Sequence, residues 1–489
     1  MSNWFVYDFN NFAENHFIMK GIKLITCLFL TTLLLQSCKT DTSNKPIENK
    51  ETQPNIIFIF ADDWGYGDLG IHGSSFCKTP NLDKMAAEGI DFQNFSVVNP
   101  VCSPSRVGVM TGQFPARHSV HGHFATVESH IKRNMPDWLS TEAPLLPRML
   151  KKSGYVTAHY GKWHLSNTPV TDAPSPLEYG YDEYGAFNLP NRLHQMQVDS
   201  TLYKTIDFIK KNKDKPFFVN AWIHATHTPH YPKKEYMDKF SDFDEQQQVY
   251  AAVIAEYDDR IGQLFKTLKD LGIDDNTLVL FSSDNGPEFT GTTKTQEDDS
   301  TGGGLGSYYS VGETAGLKGQ KRSLFAGGVR IPFIVRWPGS VPAGVHDKTT
   351  QLSTVDLLPT FLELAGGKLP EGYEPDGVSI VEALKGKAVK REKPIFWDWK
   401  FSNNRPEFWP SACIQEDNWK LLTNSKLGKT ELYNINTDWS EKTDVADKYP
   451  EKTSDLLNKI KAFEHTLPTA PLSNTFSKER ELLTKQLGN

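Results

Sequence analysis

The fold is decided by the stretch Pro54-Asn55-Ile56-Ile57-Phe58-Ile59-Phe60-Ala61-Asp62-Asp63-Trp64-Gly65, an unbroken apolar run that ends in two carboxylates. Such a run is typical of a strand that is buried on both faces of a parallel sheet. A second run, Thr277-Leu278-Val279-Leu280-Phe281-Ser282-Ser283, ends in the same way in Asp284-Asn285-Gly286. In open α/β sheets, ligands bind at the edge where the carboxyl ends of the strands meet. The sequence therefore predicts an α/β fold in which four side chains converge: Asp62, Asp63, Asp284 and Asn285.

These four side chains have the chemistry of a site for a hard divalent cation. Three carboxylates and one amide, with no cysteine among them and no adjacent histidine, suit Ca²⁺ or Mg²⁺ better than Zn²⁺. The alternative is that the Asp-Asp and Asp-Asn-Gly segments are turn or helix-cap residues, because these residue types favour such positions.

The composition is that of an ordinary globular protein. The chain has 489 residues, of which 38% are hydrophobic and 23% charged, and its 53 Lys and Arg against 60 Asp and Glu give a net charge of −7. Disorder, a collagen-like fibre and a disulfide scaffold are disfavoured. A nucleic-acid partner is also disfavoured, because it would require a basic surface to meet the phosphates.

The N-terminus has the features of an export signal. A cationic start at Met19 is followed by an apolar stretch from Leu24 to Leu35, which is too short to span a bilayer comfortably. The next residues complete Leu35-Gln36-Ser37-Cys38, which resembles a bacterial lipobox. We expect residues 1–38 to be a leader whose true start is Met19, with cleavage before Cys38 and a lipid on its sulfur. A plain signal peptide cleaved elsewhere and an N-terminal anchor are the alternatives.

Beyond the leader, residues 39–53 form a polar sequence that is typical of a flexible tether. The leader and tether together predict an exported bacterial lipoprotein, anchored by its lipid to a membrane and located in the periplasm or outer membrane.

A third element surrounds Cys102, in the segment Asn99-Pro100-Val101-Cys102-Ser103-Pro104-Ser105-Arg106. The pattern predicts a turn that runs into a helix, with Pro104 in its first turn and Cys102 at its N-terminus beside Arg106. This setting is expected to lower the thiol pKa and indicates a reactive cysteine. A structural thiol is the alternative.

The residues Cys102, Pro104 and Arg106 match the Cys-x-Pro-x-Arg core of the type I, formylglycine-dependent sulfatases of the Cys type, and the chain resembles bacterial polysaccharide sulfatases of that family. The order of the surrounding motifs is also similar to that family. The motifs are Asp62-Asp63, Cys102, Gly161-Lys162-Trp163-His164, Ala225-Thr226-His227-Thr228-Pro229, Asp284-Asn285-Gly286, and Lys318 ahead of Gly327-Gly328-Val329-Arg330-Ile331-Pro332.

The resemblance implies a role for each matched residue. Cys102 would be oxidised to formylglycine (3-oxoalanine) by a sulfatase-maturing enzyme. One divalent cation, usually Ca²⁺ with Mg²⁺ possible, would be bound by Asp62, Asp63, Asp284, Asn285 and the modified Cys102. Arg106, Lys162 and His164 would hold the formylglycine hydrate, and Lys162, Lys318 and His227 would contact the substrate sulfate, with His227 as the proton donor.

The chain contains one alternative to a matched histidine and differs from the family pattern in one loop. His230 follows His227 by three residues and is the alternative substrate-binding histidine. The family's common Glu-Gly-Gly is Ala326-Gly327-Gly328 in this chain, a difference that concerns support of the loop.

The resemblance also implies the architecture. An alkaline-phosphatase-like α/β/α sandwich would span residues 54–384, followed by a smaller C-terminal α+β subdomain of an antiparallel sheet and a helix over 385–470, and by a tail over 471–489. After Cys27, Cys38 and Cys102 are assigned to the leader, the lipid and the aldehyde, Cys77 and Cys413 remain as candidates for a disulfide.

The implied activity is hydrolysis of sulfate esters of a carbohydrate, for which we favour an algal polysaccharide such as ulvan or its oligosaccharides. A phosphatase or phosphodiesterase of the same superfamily, and a catalytically silent, lipid-anchored glycan-binding protein, are the alternatives.

Overall fold

The computed structural model describes residues 53–189, 196, 200–289, 310–400 and 409–486. The predicted leader with Cys38, and residues 39–52 of the predicted tether, lie outside the described residues. Among the helices in the described ranges, none is long and apolar enough to cross a membrane.

The main sheet has eight strands in the order β5-β4-β6-β1-β7-β8-β2-β9. Its strands are β1 (Asn55–Ala61), β2 (Ile90–Phe92), β4 (Val156–Lys162), β5 (Glu183–Phe187), β6 (Phe217–Trp222), β7 (Thr277–Ser283), β8 (Phe333–Arg336) and β9 (Val345–Asp347). All neighbouring pairs are parallel except those made by β8, which runs antiparallel to both β7 and β2. A separate parallel pair consists of β3 (Phe95–Ser96) and β10 (Leu352–Ser353).

Strand β1 is buried on both faces, as its unbroken apolar sequence predicts. Because successive side chains of a strand point to opposite faces, Ile56, Phe58 and Phe60 belong to one hydrophobic cluster and Ile57 and Ile59 to the other. Each cluster is completed by helices, so the sheet lies between two helical layers.

Helices on the Ile57 side are α1 (Pro80–Ala87), α5 (Thr201–Asn212) and α7 (Glu245–Asp270), and those on the Phe58 side are α2 (Cys102–Thr111), α4 (Leu146–Lys152) and α9 (Leu357–Leu364). The first of these layers is fastened by Asp258, whose carboxylate accepts hydrogen bonds from the backbone N–H groups of Asn81 and Leu82 at the start of α1, both at 2.9 Å. Such bonds satisfy N–H groups that have no partner within the helix. Shorter helices are α3 (Val127–Lys132), α6 (Lys234–Met237), α8 (Ala326–Val329) and α10 (Val381–Leu384).

The C-terminal part is an antiparallel sheet with a helix on it. Strands β11 (Ile395–Asp398), β12 (Ala412–Glu416), β13 (Trp419–Asn424) and β14 (Lys429–Asn434) pair in chain order, and α11 (Pro450–Glu464) packs on one face. Their other face joins the core of the main body, where the Trp397 indole N–H donates to the Val97 carbonyl at 2.7 Å. The predicted α/β/α sandwich with a smaller C-terminal α+β part is confirmed, and both parts belong to one compact unit.

The two cysteines considered for a disulfide are both free and buried. Cys77 lies in the hydrophobic cluster on the Ile57 side of the sheet and Cys413 in the cluster on the other side. They therefore pack as small apolar side chains, and the suggested pairing is wrong.

The tail predicted over residues 471–489 carries a last helix, α12 (Lys478–Gln486). Its anchor is Arg480, which is buried and donates to the Met135 carbonyl at 2.7 Å and to the Asp137 carboxylate at 3.1 Å. Asp137 also accepts from the Ser477 N–H at 2.8 Å and lies 2.9 Å from the His130 ring.

Replacing Arg480 with alanine is expected to lower the free energy of unfolding by about 2–3 kcal/mol. The substitution removes two buried hydrogen bonds and leaves the buried Asp137 carboxylate without its guanidinium partner. Chemical denaturation measures the change. Lys485→Ala, on an exposed position of the same helix, is the control and should leave the stability unchanged. Equal stability of the two variants would show that the helix does not depend on this contact.

Candidate active site

The carboxyl ends of four neighbouring strands build the site. Strands β4, β6, β1 and β7 are adjacent in the sheet, and Ala61 at the end of β1 pairs with Ser283 at the end of β7. The residues that follow these two ends are therefore brought side by side. Ligand atoms of Asp62, Asp63, Cys102 and Asp284 all lie within 4.8 Å of one another, and the Asn285 amide donates to Asp63 at 2.7 Å.

The donor set fits a divalent cation of the Ca²⁺ or Mg²⁺ type. The three carboxylates are fully buried, and burial together with the neighbouring Asp62 raises the pKa of Asp284. The side-chain oxygen of Asn285 is also buried and has no hydrogen-bond partner among the described residues. Oxygen ligands packed this closely and buried from solvent are stabilised by a cation.

Cys102 is the first residue of α2, as the sequence predicts. Its sulfur lies 3.4 Å from an Asp62 oxygen and 3.4 Å from the Lys162 ammonium nitrogen. The expected lowering of the thiol pKa is wrong: burial, and then the charges of Asp284 and Asp62, raise the pKa of Cys102 well above its ordinary value. The unmodified thiol is therefore held in its neutral form.

Two cations predicted for the site lie within it. Arg106, one helical turn after Cys102, donates to Asp284 at 2.6 Å and to the Lys162 carbonyl at 3.1 Å. Lys162, at the end of β4, donates to Asp62 at 2.5 Å. Both side chains are buried, so these contacts are made without competition from water.

The structure does not bring Lys318 to the carboxylates of the site, and so it does not support the role predicted for this lysine. Its ammonium donates to the Tyr433 hydroxyl at 2.9 Å, lies 3.4 Å from Glu431, and is partly exposed. The second lysine in the site, beside Lys162, is Lys321, which is buried and donates to Asp63 at 2.5 Å. Although burial opposes it, the Asp63 charge raises the pKa of Lys321 and keeps it cationic.

Two histidines predicted for the site are held in defined orientations. His164 donates from Nε2 to the Phe124 carbonyl at 3.0 Å, and its Nδ1 is buried without a partner among the described residues. His227 donates from Nδ1 to the Thr228 carbonyl at 2.6 Å, and its Nε2 lies 4.0 Å from Asp63. Since a carbonyl can only accept, the bonded nitrogen carries the proton in each ring. The pKa of both rings is lowered well below the ordinary value, mainly by burial and secondly by the positive charge of Lys162.

The structure gives no support to the alternative role considered for His230. Its side chain is only 1% exposed and packs edge-on against the Tyr250 ring, 5.6 Å between centroids.

His224 lies in the site although no motif pointed to it. It comes shortly after the end of β6, its Nδ1 lies 2.5 Å from Asp62, and its ring stacks on His227 at 4.5 Å between centroids. Burial lowers the pKa of His224 to about 4. The strand-end pattern that identified Asp62 and Asp284 would also have found His224, had it been applied to the apolar run Phe217–Trp222.

The backbone is constrained at the site. Asp63 and His164 both have positive φ, 63° and 54°, a conformation that residues other than glycine rarely adopt. Gly161 has φ 107°, and a Cβ there would lie 2.0 Å from the Trp222 carbonyl oxygen. Glycine therefore lets β4 approach β6 closely just before Lys162.

Comparison with known proteins identifies the family. The family model described as Sulfatase matches residues 54–367, and one described as N-sulphoglucosamine sulphohydrolase, C-terminal, matches residues 318–465. N-acetylgalactosamine-6-sulfatase of Homo sapiens is 34% identical over 385 residues, which cover 70% of this chain and 68% of that protein. The chain belongs to the sulfatase family. The sulfatase is thus a sulfuric ester hydrolase, which disfavours the phosphatase and the silent binding protein as alternatives.

Bacterial and structural relatives extend the similarity over most of the sulfatase. N-acetylgalactosamine-6-O-sulfatase of Bacteroides thetaiotaomicron is 26% identical, with 91% of this chain and all of that protein covered. The crystal structure of Ps i-CgsB in complex with k-i-k-neocarrahexaose has a TM-score of 0.70 and 28% identity, with 89% of this chain and 97% of that chain covered. The C-terminal part of the sulfatase is therefore included in the similarity.

Proposed function

We propose that this sulfatase hydrolyses sulfate esters of a carbohydrate, using a formylglycine made from Cys102 and a divalent cation, Ca²⁺, held by Asp62, Asp63, Asp284 and Asn285. The observation that carries the proposal is the convergence of Cys102 and four oxygen ligands with three buried cations, Arg106, Lys162 and Lys321. These three cations balance the three carboxylates, and a bound divalent cation would make the site positive although the chain has a negative net charge, which suits an anionic substrate.

The formylglycine and the cation would each supply one part of the chemistry. The formylglycine hydrate supplies two hydroxyls on one carbon, so that one can attack the ester sulfur and the other can afterwards expel sulfate and restore the aldehyde. The cation supplies positive charge where negative charge develops on oxygen.

The cationic side chains hold the sulfate and the residue at position 102. Lys162 is within reach of both Asp62 and the Cys102 sulfur, and Lys321 extends to the opposite carboxylate, Asp63. Both can donate to oxygens placed between them, since an ammonium has three donors. Arg106 is fixed on Asp284 and orients that ligand.

The two histidines move the protons. The Nδ1–H of His227 is used by the Thr228 carbonyl, so Nε2 is the nitrogen that faces the site and can give a proton to the leaving alcohol oxygen. A sulfate bound next to this ring favours its cationic form and opposes the effect of burial. In His164, Nδ1 carries the free lone pair and can accept the proton released when sulfate is expelled.

Replacing His227 with alanine is expected to lower kcat/KM by about 10²–10⁴-fold on a sulfated oligosaccharide, whose alcohol leaving group needs a proton. On an aryl sulfate the loss should be much smaller, because a phenolate leaves without protonation. Steady-state kinetics on both substrates measures the ratio. His465→Ala, at an exposed histidine, is the control. Equal losses on the two substrates would instead indicate that His227 has a purely structural role.

The formylglycine proposal is tested by mass spectrometry of the peptide that contains Cys102, after co-expression with a sulfatase-maturing enzyme. We expect the thiol to be replaced by the aldehyde and its hydrate. A thiol that persists under these conditions, together with no sulfate release from any substrate, would overturn the proposal.

The names of the relatives support a carbohydrate substrate. Two are N-acetylgalactosamine 6-sulfatases, and Ps i-CgsB was solved with neocarrahexaose. Within this class we favour an algal polysaccharide, ulvan or its oligosaccharides, because a lipobox suggests a bacterium that degrades polysaccharides outside its cytoplasm. Ion chromatography of sulfate released from ulvan, carrageenan and chondroitin sulfate oligosaccharides tests this choice. Release from the latter two without release from ulvan would overturn it.

The location follows from the N-terminal sequence. We expect a lipid on Cys38 that anchors the sulfatase in the periplasm or outer membrane, where polysaccharide fragments reach it. Incorporation of labelled palmitate into the wild type, and its loss in Cys38→Ser, would support the anchor. Labelling that is absent from both would exclude it.

A further inference from the structure

The short helix α8 lies between two segments of the active site. On one side, the Gly286 N–H, next to the ligand Asn285, donates to the Gly328 carbonyl at 2.9 Å. On the other side, the Gly327 N–H donates to the Lys318 carbonyl at 2.7 Å, at the start of the loop that carries Lys321. The position of α8 therefore affects a metal ligand and a sulfate-binding lysine together.

These contacts leave no space for adjustment. A Cβ at Gly286 would lie 1.9 Å from the Gly327 carbonyl oxygen, and a Cβ at Gly327 would lie 2.0 Å from the carbonyl oxygen of Gly319. Backbones packed this closely transmit a displacement rather than absorb it. A shift of α8 would consequently move Asn285 and Lys321.

A carboxylate from the C-terminal part holds the beginning of α8. Glu441 is fully buried, and it accepts from the Ala326 N–H at 2.7 Å and from the Lys420 ammonium at 2.6 Å. Its backbone has φ 57°, and the preceding carbonyl, of Ser440, accepts from the Lys318 N–H at 3.3 Å. A strained conformation at a buried charge persists only where the surroundings fix it.

The same C-terminal segment also holds the end of α8. Arg330 donates to the Trp439 carbonyl at 3.1 Å, and its guanidinium lies over the Trp439 ring at 3.6 Å from the centroid. Because residue 326 is an alanine, the carboxylate at this turn comes from a residue 115 positions later in the chain. Residues 439–441 therefore form hydrogen bonds with both ends of α8.

We propose that Glu441 is a positioning residue of the active site, which acts through α8 to place Asn285 for the cation and Lys321 for the sulfate. This inference rests on the proposed function for the identity of the cation and the anion. It gives the C-terminal part a role in the reaction, although Glu441 lies outside the ligand set.

The test compares substitutions of Glu441 in the full chain after EDTA treatment. Glu441→Ala should weaken Ca²⁺ binding, measured by calorimetry, by about tenfold or more and lower kcat by a similar factor, as is usual when a residue that orients a metal ligand is removed. Glu441→Gln keeps an oxygen for the Ala326 N–H and should stay within about threefold of the wild type. Glu441→Asp keeps a carboxylate for Lys420, but its shorter side chain does not reach the Ala326 N–H. We expect it to weaken Ca²⁺ binding as Glu441→Ala does, so it replaces Glu441→Ala in the test if that variant does not fold.

Leu421→Ala is the matched control, because this fully buried side chain packs between the C-terminal sheet and α11, away from Ala326. It should lower the melting temperature but leave Ca²⁺ affinity and kcat unchanged. Comparable losses in Leu421→Ala and Glu441→Ala, or wild-type Ca²⁺ affinity in both Glu441→Ala and Glu441→Asp, would overturn the proposal. If the wild type releases no sulfate, the proposed function fails, whereas the Ca²⁺ titrations still test the positioning role.

Discussion

Replacing Cys102 with alanine is expected to reduce sulfate release by about 10⁴-fold or more, the scale seen when a catalytic nucleophile is removed. The side chain sits at the start of α2, buried against Asp62 and Lys162, and none of its described neighbours offers another nucleophile of this kind. Steady-state hydrolysis of an aryl sulfate and of a sulfated oligosaccharide should both be lost, because every substrate uses the same sulfur-attacking group.

Cys102→Ser gives a sharper result. A serine offers one hydroxyl rather than two, so it can take up the sulfonate group but cannot expel it. Mass spectrometry of the variant after incubation with an aryl sulfate should show one added sulfonate and no turnover. Cys77→Ala, at a buried cysteine outside the site, is the control and should retain activity. Full activity of Cys102→Ala would exclude the proposed mechanism.

Replacing Lys321 with alanine is expected to lower kcat/KM by about 10²–10³-fold, because it removes one preorganised donor from a buried anion site. The matched variant Lys318→Ala should stay within about threefold of the wild type, since its ammonium is partly exposed and bonds only to Tyr433 and Glu431 among the described residues. Comparing kcat/KM of the two variants therefore shows which of these two lysines, only three positions apart, contributes to the reaction.

Inorganic sulfate provides a readout that does not depend on turnover. Sulfate should raise the melting temperature of the wild type and of Lys318→Ala, but should have little effect on Lys321→Ala, which has lost the donor. Because Lys321 also neutralises the buried Asp63, some loss of stability is expected in this variant without sulfate. A large activity loss in Lys318→Ala, with Lys321→Ala unaffected, would show that the lysines are assigned the wrong way round.

The fold could be predicted because its signals are local. The apolar runs that form β1 and β7 and the turn before Cys102 each carry their pattern within about ten residues. A parallel sheet then brings strand ends to one edge regardless of the loops between them, which is why the four oxygen ligands could be predicted to converge.

The identity of the second lysine could not be predicted in this way. Lys318 and Lys321 lie in one loop ahead of Gly327, and counting residues does not tell which side chain turns inward. The choice is made by the contacts of the loop: the Lys318 carbonyl bonds to Gly327, and the Lys321 N–H bonds to Pro287 at 3.1 Å. Pro287 lies 34 residues before Lys321 in the sequence, so a local pattern does not contain this contact.

By itself, the sequence determined the α/β fold, the order of the motifs, the convergence of three carboxylates with the Asn285 amide and the start of α2 at Cys102, because periodicity and strand ends are properties of short segments. Only the tertiary structure decided that Lys321 rather than Lys318 enters the site, that His230 is buried, that the Cys102 pKa is raised, and that Glu441 supports α8. All of these depend on burial and on contacts between residues far apart in the chain, which a local pattern does not contain.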